Sequence, residues 1–100
     1  MSNELLNAVT MSVPSAVKYA KYEKVVEQAS KRAKHNIIDF SNLLYKEWEK
    51  EGKTEEALIG IYRAMMLKGL SDYELRKMTG KRLIDRGRNN GGYALIADNI

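Results

Sequence analysis

Apolar side chains recur every three or four positions along the first half of the chain, which is typical of one face of an amphipathic α-helix. The pattern fits one long helix or two helices that meet near His35 and Asn36. We favour a break near Asn36, because asparagine is a weak helix former that can cap a second helix. A compact domain also packs two helices of ordinary length more easily than one that projects. The positions of this apolar stripe are Tyr19, Tyr22, Val26, Ala29, Ala33, Ile37, Phe40, Leu44 and Trp48.

An unbroken stripe would have a second use, as a coiled-coil seam between two subunits. Its residues are mixed and partly aromatic rather than a regular series of leucine and isoleucine. We therefore predict that the stripe forms the core of a single chain. Ahead of it, residues 4–9 suggest a short helix or an arm, and Pro14 marks a restart because proline suits the first helical position.

A second apolar pattern begins at residue 57 and predicts a central helix that packs on more than one side. Thr54 can cap this helix, and Glu55 and Glu56 lie on its first turn, where the helix dipole favours anions. Met65 and Met66 could form an adaptable binding face, but core packing is the commoner role and is the one we predict.

Residues 67–80 indicate the end of one helix, a tight turn and a second short helix. Lys68 and Gly69 form a good stop, with a cation on the last turn and a glycine that can take positive φ. Ser71 can cap the next helix, and Glu74 can close a capping box with it. The second helix has only about two turns, so it must be packed on its neighbours.

Two structures fit the residues that follow. One is a short helix over 81–89. The other is a hairpin with strands near 82–88 and 92–97 and a turn at Asn90-Gly91. We favour the helix, followed by a turn and a C-terminal strand or extended tail.

The chain has 100 residues, which predicts one domain, 1–100, made of a helical part, 1–53, and a second part, 54–100. The fold class we predict is all-α or mainly α, with four to six helices and with or without a short terminal strand or wing. Cysteine is absent, which excludes disulfides and thiolate metal sites and is typical of a cytosolic protein. The sequence shows no run of roughly 18 apolar residues and no signal peptide. We therefore predict a cytoplasmic protein without a membrane partner.

The net charge is +4, but its distribution is more informative than its sum. Residues 15–34 carry a net charge of +4, residues 39–56 carry −3, and residues 57–100 carry +4. Two basic blocks therefore flank an acidic one. The first basic block is equally well explained as a solvated helix face.

Residues 54–80 resemble the first two helices of the winged-helix and helix-turn-helix superfamily of small bacterial and phage regulators. The resemblance lies in the helix Glu55–Lys68, in the turn Gly69-Leu70-Ser71-Asp72, and in the helix that ends with Thr79-Gly80. In that superfamily a recognition helix normally follows the Thr-Gly pair, and a two-stranded wing comes next. The resemblance implies a C-terminal helix-turn-helix that binds DNA; residues 1–53 lie outside it.

If the resemblance holds, the basic segment after Gly80 contacts the nucleic acid. Arginine can clamp a phosphate or bond both acceptors of a guanine edge, and asparagine can do the same for adenine. Cations on the preceding helix would contact phosphates and set the orientation. The alternative for this segment is a solvated loop with a few salt bridges. The candidate DNA-binding residues are Arg76, Lys77, Lys81, Arg82, Arg86, Arg88, Asn89, Asn90 and Tyr93.

The sequence contains no pattern that indicates an enzyme. His35 is the only histidine, so a histidine metal cluster or proton relay is excluded. Glu47, Glu49 and Glu51 alternate around a helix and make a poor carboxylate pair. We predict no catalytic site, no metal site and no cofactor.

We predict a small protein of bacterial or phage type that binds double-stranded DNA as a dimer and regulates transcription or assists replication. The alternative prediction is a helical protein-binding module that inhibits or modulates a host enzyme or a nucleic-acid-processing complex. Its candidate face is the acidic block at residues 46–56 with Tyr45 and Trp48, because aromatic residues are favoured interface anchors.

Overall fold

The computed structural model describes residues 13–86 and 92–98. The described part of the chain is mainly helical, with four helices and one two-stranded antiparallel sheet, which confirms the predicted class at this level. The helix or arm predicted over residues 4–9 lies outside the described residues. In chain order the elements are α1 (Val13–Ala33), α2 (Ile37–Lys50), α3 (Glu55–Leu67), α4 (Tyr73–Thr79), β1 (Lys81–Asp85) and β2 (Tyr93–Ala97).

The long apolar stripe is divided between α1 and α2, as predicted. After α1 ends, Lys34 and His35 take left-handed φ values of 51° and 70°, which turn the chain. The side chain of Asn36 then accepts hydrogen bonds from the backbone N–H groups of Ile38 and Asp39, both at 3.0 Å. These bonds satisfy two of the free donors at the start of α2, so asparagine acts as the predicted cap.

The stripe forms a core within one chain, as predicted, and not a seam between subunits. Eight of its nine positions are buried, and the exception is Ile37 at the first residue of α2. Val26 on α1 and Leu44 on α2 have no exposed surface. They pack in the same cluster as the apolar residues of α3.

Helix α3 is the central helix that the sequence predicted, and it runs parallel to α1. Contacts between the two helices advance in the same direction along both: Lys18 pairs with Glu56 at 3.3 Å, and Glu23 pairs with Arg63 at 3.2 Å. Apolar residues are buried on nearly every side of α3. The helix is therefore covered by α1 on one side and by the hairpin and α2 on others.

Helix α3 approaches α1 closely at Gly60. A β-carbon built at this glycine would lie 2.2 Å from Cδ2 of the Tyr22 ring, so only a residue without a side chain fits. At the end of α3 the two methionines separate: Met65 is buried, whereas Met66 is about half exposed. The prediction of core packing is therefore right for Met65 and wrong for Met66, because consecutive helical residues point in directions about 100° apart.

The turn after α3 follows the predicted stop. Gly69 has a φ of 68°, and the N–H of Leu70 donates to the carbonyl of Met65 at 2.9 Å. This left-handed glycine and its returning hydrogen bond are typical of a helix C-terminus.

The predicted capping box at the start of α4 is wrong. Asp72, not Ser71, occupies the N-cap position, and its side chain makes no capping hydrogen bond. The physical reason is that cationic side chains compete with backbone N–H groups for the carboxylates. The carboxylate of Asp72 binds the guanidinium of Arg76 at 3.4 Å. Likewise, Glu74 pairs with Lys77 at 3.1 Å.

The chain after α4 forms a hairpin, so the favoured prediction of a helix over 81–89 is wrong. Gly80 has a φ of 70°, which ends α4 and redirects the chain. β1 and β2 then pair antiparallel, with Leu83 opposite Leu95. Period-two alternation puts these two leucines and Tyr93 on one face, which packs on the core. The alternative prediction of a hairpin is therefore confirmed, although its connecting turn lies outside the described residues.

Candidate nucleic-acid interface

The hairpin has an outer face that points away from the core. Because strand side chains alternate, Arg82 and Ile84 lie on this face, and Arg86 follows in the same direction just beyond β1. On β2, Ile96 lies opposite Arg82 and Ala94 lies opposite Ile84. Both arginines are exposed and make no ion pair with any described residue. Arg86 is four residue steps beyond Arg82, which corresponds to about 13 Å along a strand.

The two candidate cations of α4 are held by carboxylates. Arg76 donates from Nε to Asp98 at 2.6 Å and from its terminal nitrogen to Asp72 at 3.4 Å. The hydrogen bond with Asp98 is the main cause that raises the pKa of Arg76. Lys77 pairs with Glu74 at 3.1 Å. A phosphate would have to displace these carboxylates, so α4 is a poorer anion-binding surface than the hairpin.

The remaining candidate residues differ in exposure, and some of them lie outside the described residues. Lys81 is exposed at the base of β1. Tyr93 is partly buried and packs against the core, so its ring does not form an open platform for a base. Arg88, Asn89 and Asn90 lie outside the described residues.

Tyr62 fixes the base of the hairpin, a role that the sequence analysis did not predict. Its hydroxyl lies 2.7 Å from Oγ1 of Thr79 and donates to the carbonyl of Lys81 at 2.7 Å. The side chain is 1% exposed, and burial raises its pKa to about 12. The hydroxyl therefore stays protonated and joins the middle of α3 to the junction of α4 and β1. A tyrosine within an otherwise apolar helix was the available signal, because a buried hydroxyl needs a partner.

The aromatic residues beside the acidic block are not free anchors. Trp48 is 6% exposed, and its indole N–H donates to the carbonyl of Thr54 at 2.8 Å. The ammonium of Lys53 lies 5.2 Å from the ring centre of Tyr45 and 5.8 Å from that of Trp48. This corner of the molecule is therefore already packed, with Trp48 serving as a core residue.

Comparisons with known proteins give no family for this chain. No protein-family model matches it, and neither the curated proteins nor the solved structures include a match. Within the described residues, no helix combines the length and the apolar character that crossing a membrane requires. The functional argument therefore rests on the geometry of the chain's own residues.

Proposed function

We propose that this protein binds double-stranded DNA through the outer face of its β-hairpin and acts in transcription regulation or as an accessory factor in replication. The observation that best supports the proposal is the pair of exposed arginines on that face, Arg82 and Arg86. In this proposal α3 and α4 are the helix-turn-helix that supports the hairpin. The hairpin takes the place of the recognition helix as the element that enters a groove.

The dimensions of the hairpin suit a DNA groove. The major groove of B-DNA is about 12 Å wide and admits a two-stranded β-ribbon. Arg82 and Arg86, about 13 Å apart, span roughly four phosphates of one strand, which repeat about every 3.4 Å along the axis. Ile84 lies between them, and Ile96 lies opposite Arg82 on the same face; both isoleucines can contact thymine methyl groups.

The electrostatic contribution comes mainly from the hairpin. Lys81, Arg82 and Arg86 are exposed on it, whereas Arg76 and Lys77 are neutralised by neighbouring carboxylates. Each phosphate contact releases a counterion, so affinity should fall with salt concentration in proportion to the number of contacts.

The proposal is tested by replacing both outer arginines together, as Arg82→Ala with Arg86→Ala. Binding of a fluorescent duplex is measured by anisotropy over a range of salt concentrations from about 50 to 200 mM. We expect the affinity of the double variant to fall about tenfold or more at the lower salt concentration. The slope of log K against log salt should decrease by about 2, because two phosphate contacts are lost.

The matched control removes the same charge elsewhere. Lys24 and Lys50 are exposed on α1 and α2 and have no ion pair among the described residues. The double variant Lys24→Ala with Lys50→Ala should keep nearly all of the affinity and the slope. Absence of binding by the unmodified protein, or equal losses in the two double variants, would reject DNA binding through the hairpin.

We also propose that the protein binds DNA as a dimer, so that each complex contains two copies of the chain on two half-sites related by symmetry. Sedimentation of the complex at saturating DNA measures this stoichiometry. Two chains for each duplex are expected, and one chain for each duplex would reject the dimer.

Protein binding remains a second candidate function, because one observation favours it. Ile37, Ile38 and Leu67 are large apolar residues that stay exposed near helix ends. Grouped apolar exposure of this kind is typical of an interaction surface. None of these residues belongs to the hairpin, so the two functions do not compete for the same side chains.

A further inference from the structure

Three helix ends meet at one end of the molecule, which we call the turn end and define as residues 30–40 and 66–71. α1 and α3 run parallel, and α2 returns antiparallel to α1, so α1 ends, α2 begins and α3 ends together. Leu70, in the turn after α3, lines the same cavity as Ala33 and Ile37. The two turns are therefore neighbours in space although they are far apart in sequence.

The turn end exposes large apolar side chains. Ile38 is 50% exposed and Leu67 is 57% exposed, and Ile37 and Met66 are exposed as well. A single exposed apolar residue is ordinary on any protein surface. Four of them at one end, beside polar and charged residues, are typical of a surface that another molecule covers.

A cavity of about 190 Å³ opens at the turn end. Its apolar lining includes Ala33, Phe40 and Leu70, and the hydroxyl-bearing residues Ser30 and Ser71 also border it. An apolar cavity of about 150 Å³ is large enough to bind benzene. The cavity at the turn end can therefore accept one aromatic ring or one branched aliphatic side chain.

The charge of the turn end is strongly positive. It contains four cations and a single acidic residue, Asp39. Arg32, Lys34 and Lys68 are exposed at the turn end, outside the lining of the cavity, and make no ion pair with any described residue. Arg32 borders the neighbouring groove between α1 and α2. Lys34 and His35 hold left-handed φ values, which residues other than glycine keep only where the surrounding structure fixes them. The backbone of the turn between α1 and α2 therefore has a defined geometry.

We infer that the turn end is a docking site for an acidic, amphipathic segment of a partner protein. One bulky apolar side chain of that segment fills the cavity, and carboxylates on either side of it lie against Arg32, Lys34 and Lys68. Charge complementarity of this kind steers a partner and fixes its register. An apolar anchor in a pocket supplies most of the binding energy.

Other occupants fit the surface less well. A DNA backbone would leave Ile38 and Leu67 against phosphates, with no apolar partner. A flat lipid surface does not enter a cavity between two turns. A second copy in a two-fold contact would bring like charges together, because the same patch faces itself.

The test uses the full chain and three synthetic peptides of about 15 residues, long enough to form a helix. The acidic peptide has leucine at helical spacing and glutamate elsewhere; its basic twin has lysine in place of glutamate, and its polar twin has serine in place of leucine. Binding of the fluorescein-labelled peptides is measured by anisotropy. The acidic peptide should bind at least tenfold more tightly than either twin, and its affinity should fall as salt is added.

Two kinds of variant locate the site. Arg32→Gln with Lys68→Gln should lower the affinity for the acidic peptide about fivefold. Lys24→Gln with Lys50→Gln, at cations outside the turn end, should leave this affinity unchanged. Ser30→Leu narrows the cavity from α1 and should weaken binding by a similar factor with the charge unchanged. Ile37→Ser is a second apolar variant, in case Ser30→Leu lowers the melting temperature.

Several results would overturn the inference. They are equal binding of the acidic peptide and a twin, no loss with the turn-end variants in folded protein, or binding only to phosphatidylglycerol vesicles. Self-association that Arg32→Gln with Lys68→Gln abolishes would assign the surface to a second copy instead. Because none of these variants touches the hairpin, loss of peptide binding with DNA binding intact separates this inference from the proposed DNA function.

Discussion

Replacing Gly60 with alanine is expected to destabilise the protein, although alanine is the better helix former. In an open helix this exchange would stabilise the fold by about 1 kcal/mol. At Gly60 the new methyl group would lie 2.2 Å from Cδ2 and 2.8 Å from Cγ of Tyr22. These atoms lie close to the base of a side chain that is itself buried. The ring cannot swing aside as a flexible side-chain tip could, so α1 and α3 must separate.

The net effect follows from two opposing terms. Overpacking a buried site typically costs 1–3 kcal/mol, and about 1 kcal/mol of helix propensity offsets part of it. Since the contact is far inside van der Waals distance, we expect the upper part of that range and a net loss of about 1–2 kcal/mol. In a domain of this size each kcal/mol lowers the melting temperature by roughly 4–8 °C.

The free energy of unfolding is measured by urea titration, followed by circular dichroism. Asn42→Ala is the matched control, because Asn42 is exposed on α2 and gains helix propensity without a new contact. This control should be neutral or slightly stabilised. In a Tyr22→Leu background, the penalty of Gly60→Ala should shrink by about 1 kcal/mol, since the ring is gone. If Gly60→Ala matches the unmodified protein, or if its penalty is the same in both backgrounds, the steric reasoning is wrong.

The remaining predictions concern one buried hydroxyl and one helix cap. Tyr62→Phe removes the hydrogen bonds to Thr79 and Lys81 and should lower the urea-derived free energy of unfolding by about 1–3 kcal/mol; an unchanged midpoint would contradict this. The folded-state pKa of Tyr62 is raised from 10.0 to about 12. The stability linked to this raised pKa is therefore complete below pH 10 and is lost as the pH rises towards 12. An alkaline unfolding profile identical in Tyr62→Phe would refute the assignment. Asn36→Ala should cost about 1 kcal/mol through loss of the α2 cap, while Asn36→Asp should not; equal thermal midpoints for both variants would show that the cap is unimportant.

The helices could be predicted from the sequence because their signals are local. The apolar stripe, the break at Asn36 and the cap at Thr54 all follow from spacing and from side chains that bind the nearest backbone. Capping at Ser71 failed for a related reason. Asp72 and Glu74 form ion pairs with cations on α4. The spacing of residues in the sequence does not show whether a carboxylate will bind such a cation or cap the helix.

The hairpin was harder to predict because its pattern is ambiguous. Leu83 and Ile84 are adjacent apolar residues, which a short helix or a strand can hold equally well. Tertiary packing decides between them: Leu83 packs against the core, partly buried, because it shares a face with Leu95 and Tyr93 on the partner strand. The residues on the outer face of the hairpin could therefore be identified only from the register in which the two strands pair.

Two central contacts also left only weak signals in the sequence. A glycine inside a predicted helix often has a packing reason, and Gly60 has one in the Tyr22 ring. Its partner lies on another helix, so the sequence could not identify it. The same holds for Tyr62, whose hydroxyl meets groups at Thr79 and Lys81.

The side-by-side arrangement of α1 and α3 also decides when the chain can fold as it is synthesised. The apolar face of α1 has much of its cover on α3, which leaves the ribosome only after α2 and the loop that follows it. Until then Val26 and Tyr22 have only α2 to shield them from water. The nascent chain therefore passes through a stage at which one side of its first helix is uncovered, and the emergence of Leu67 ends that stage.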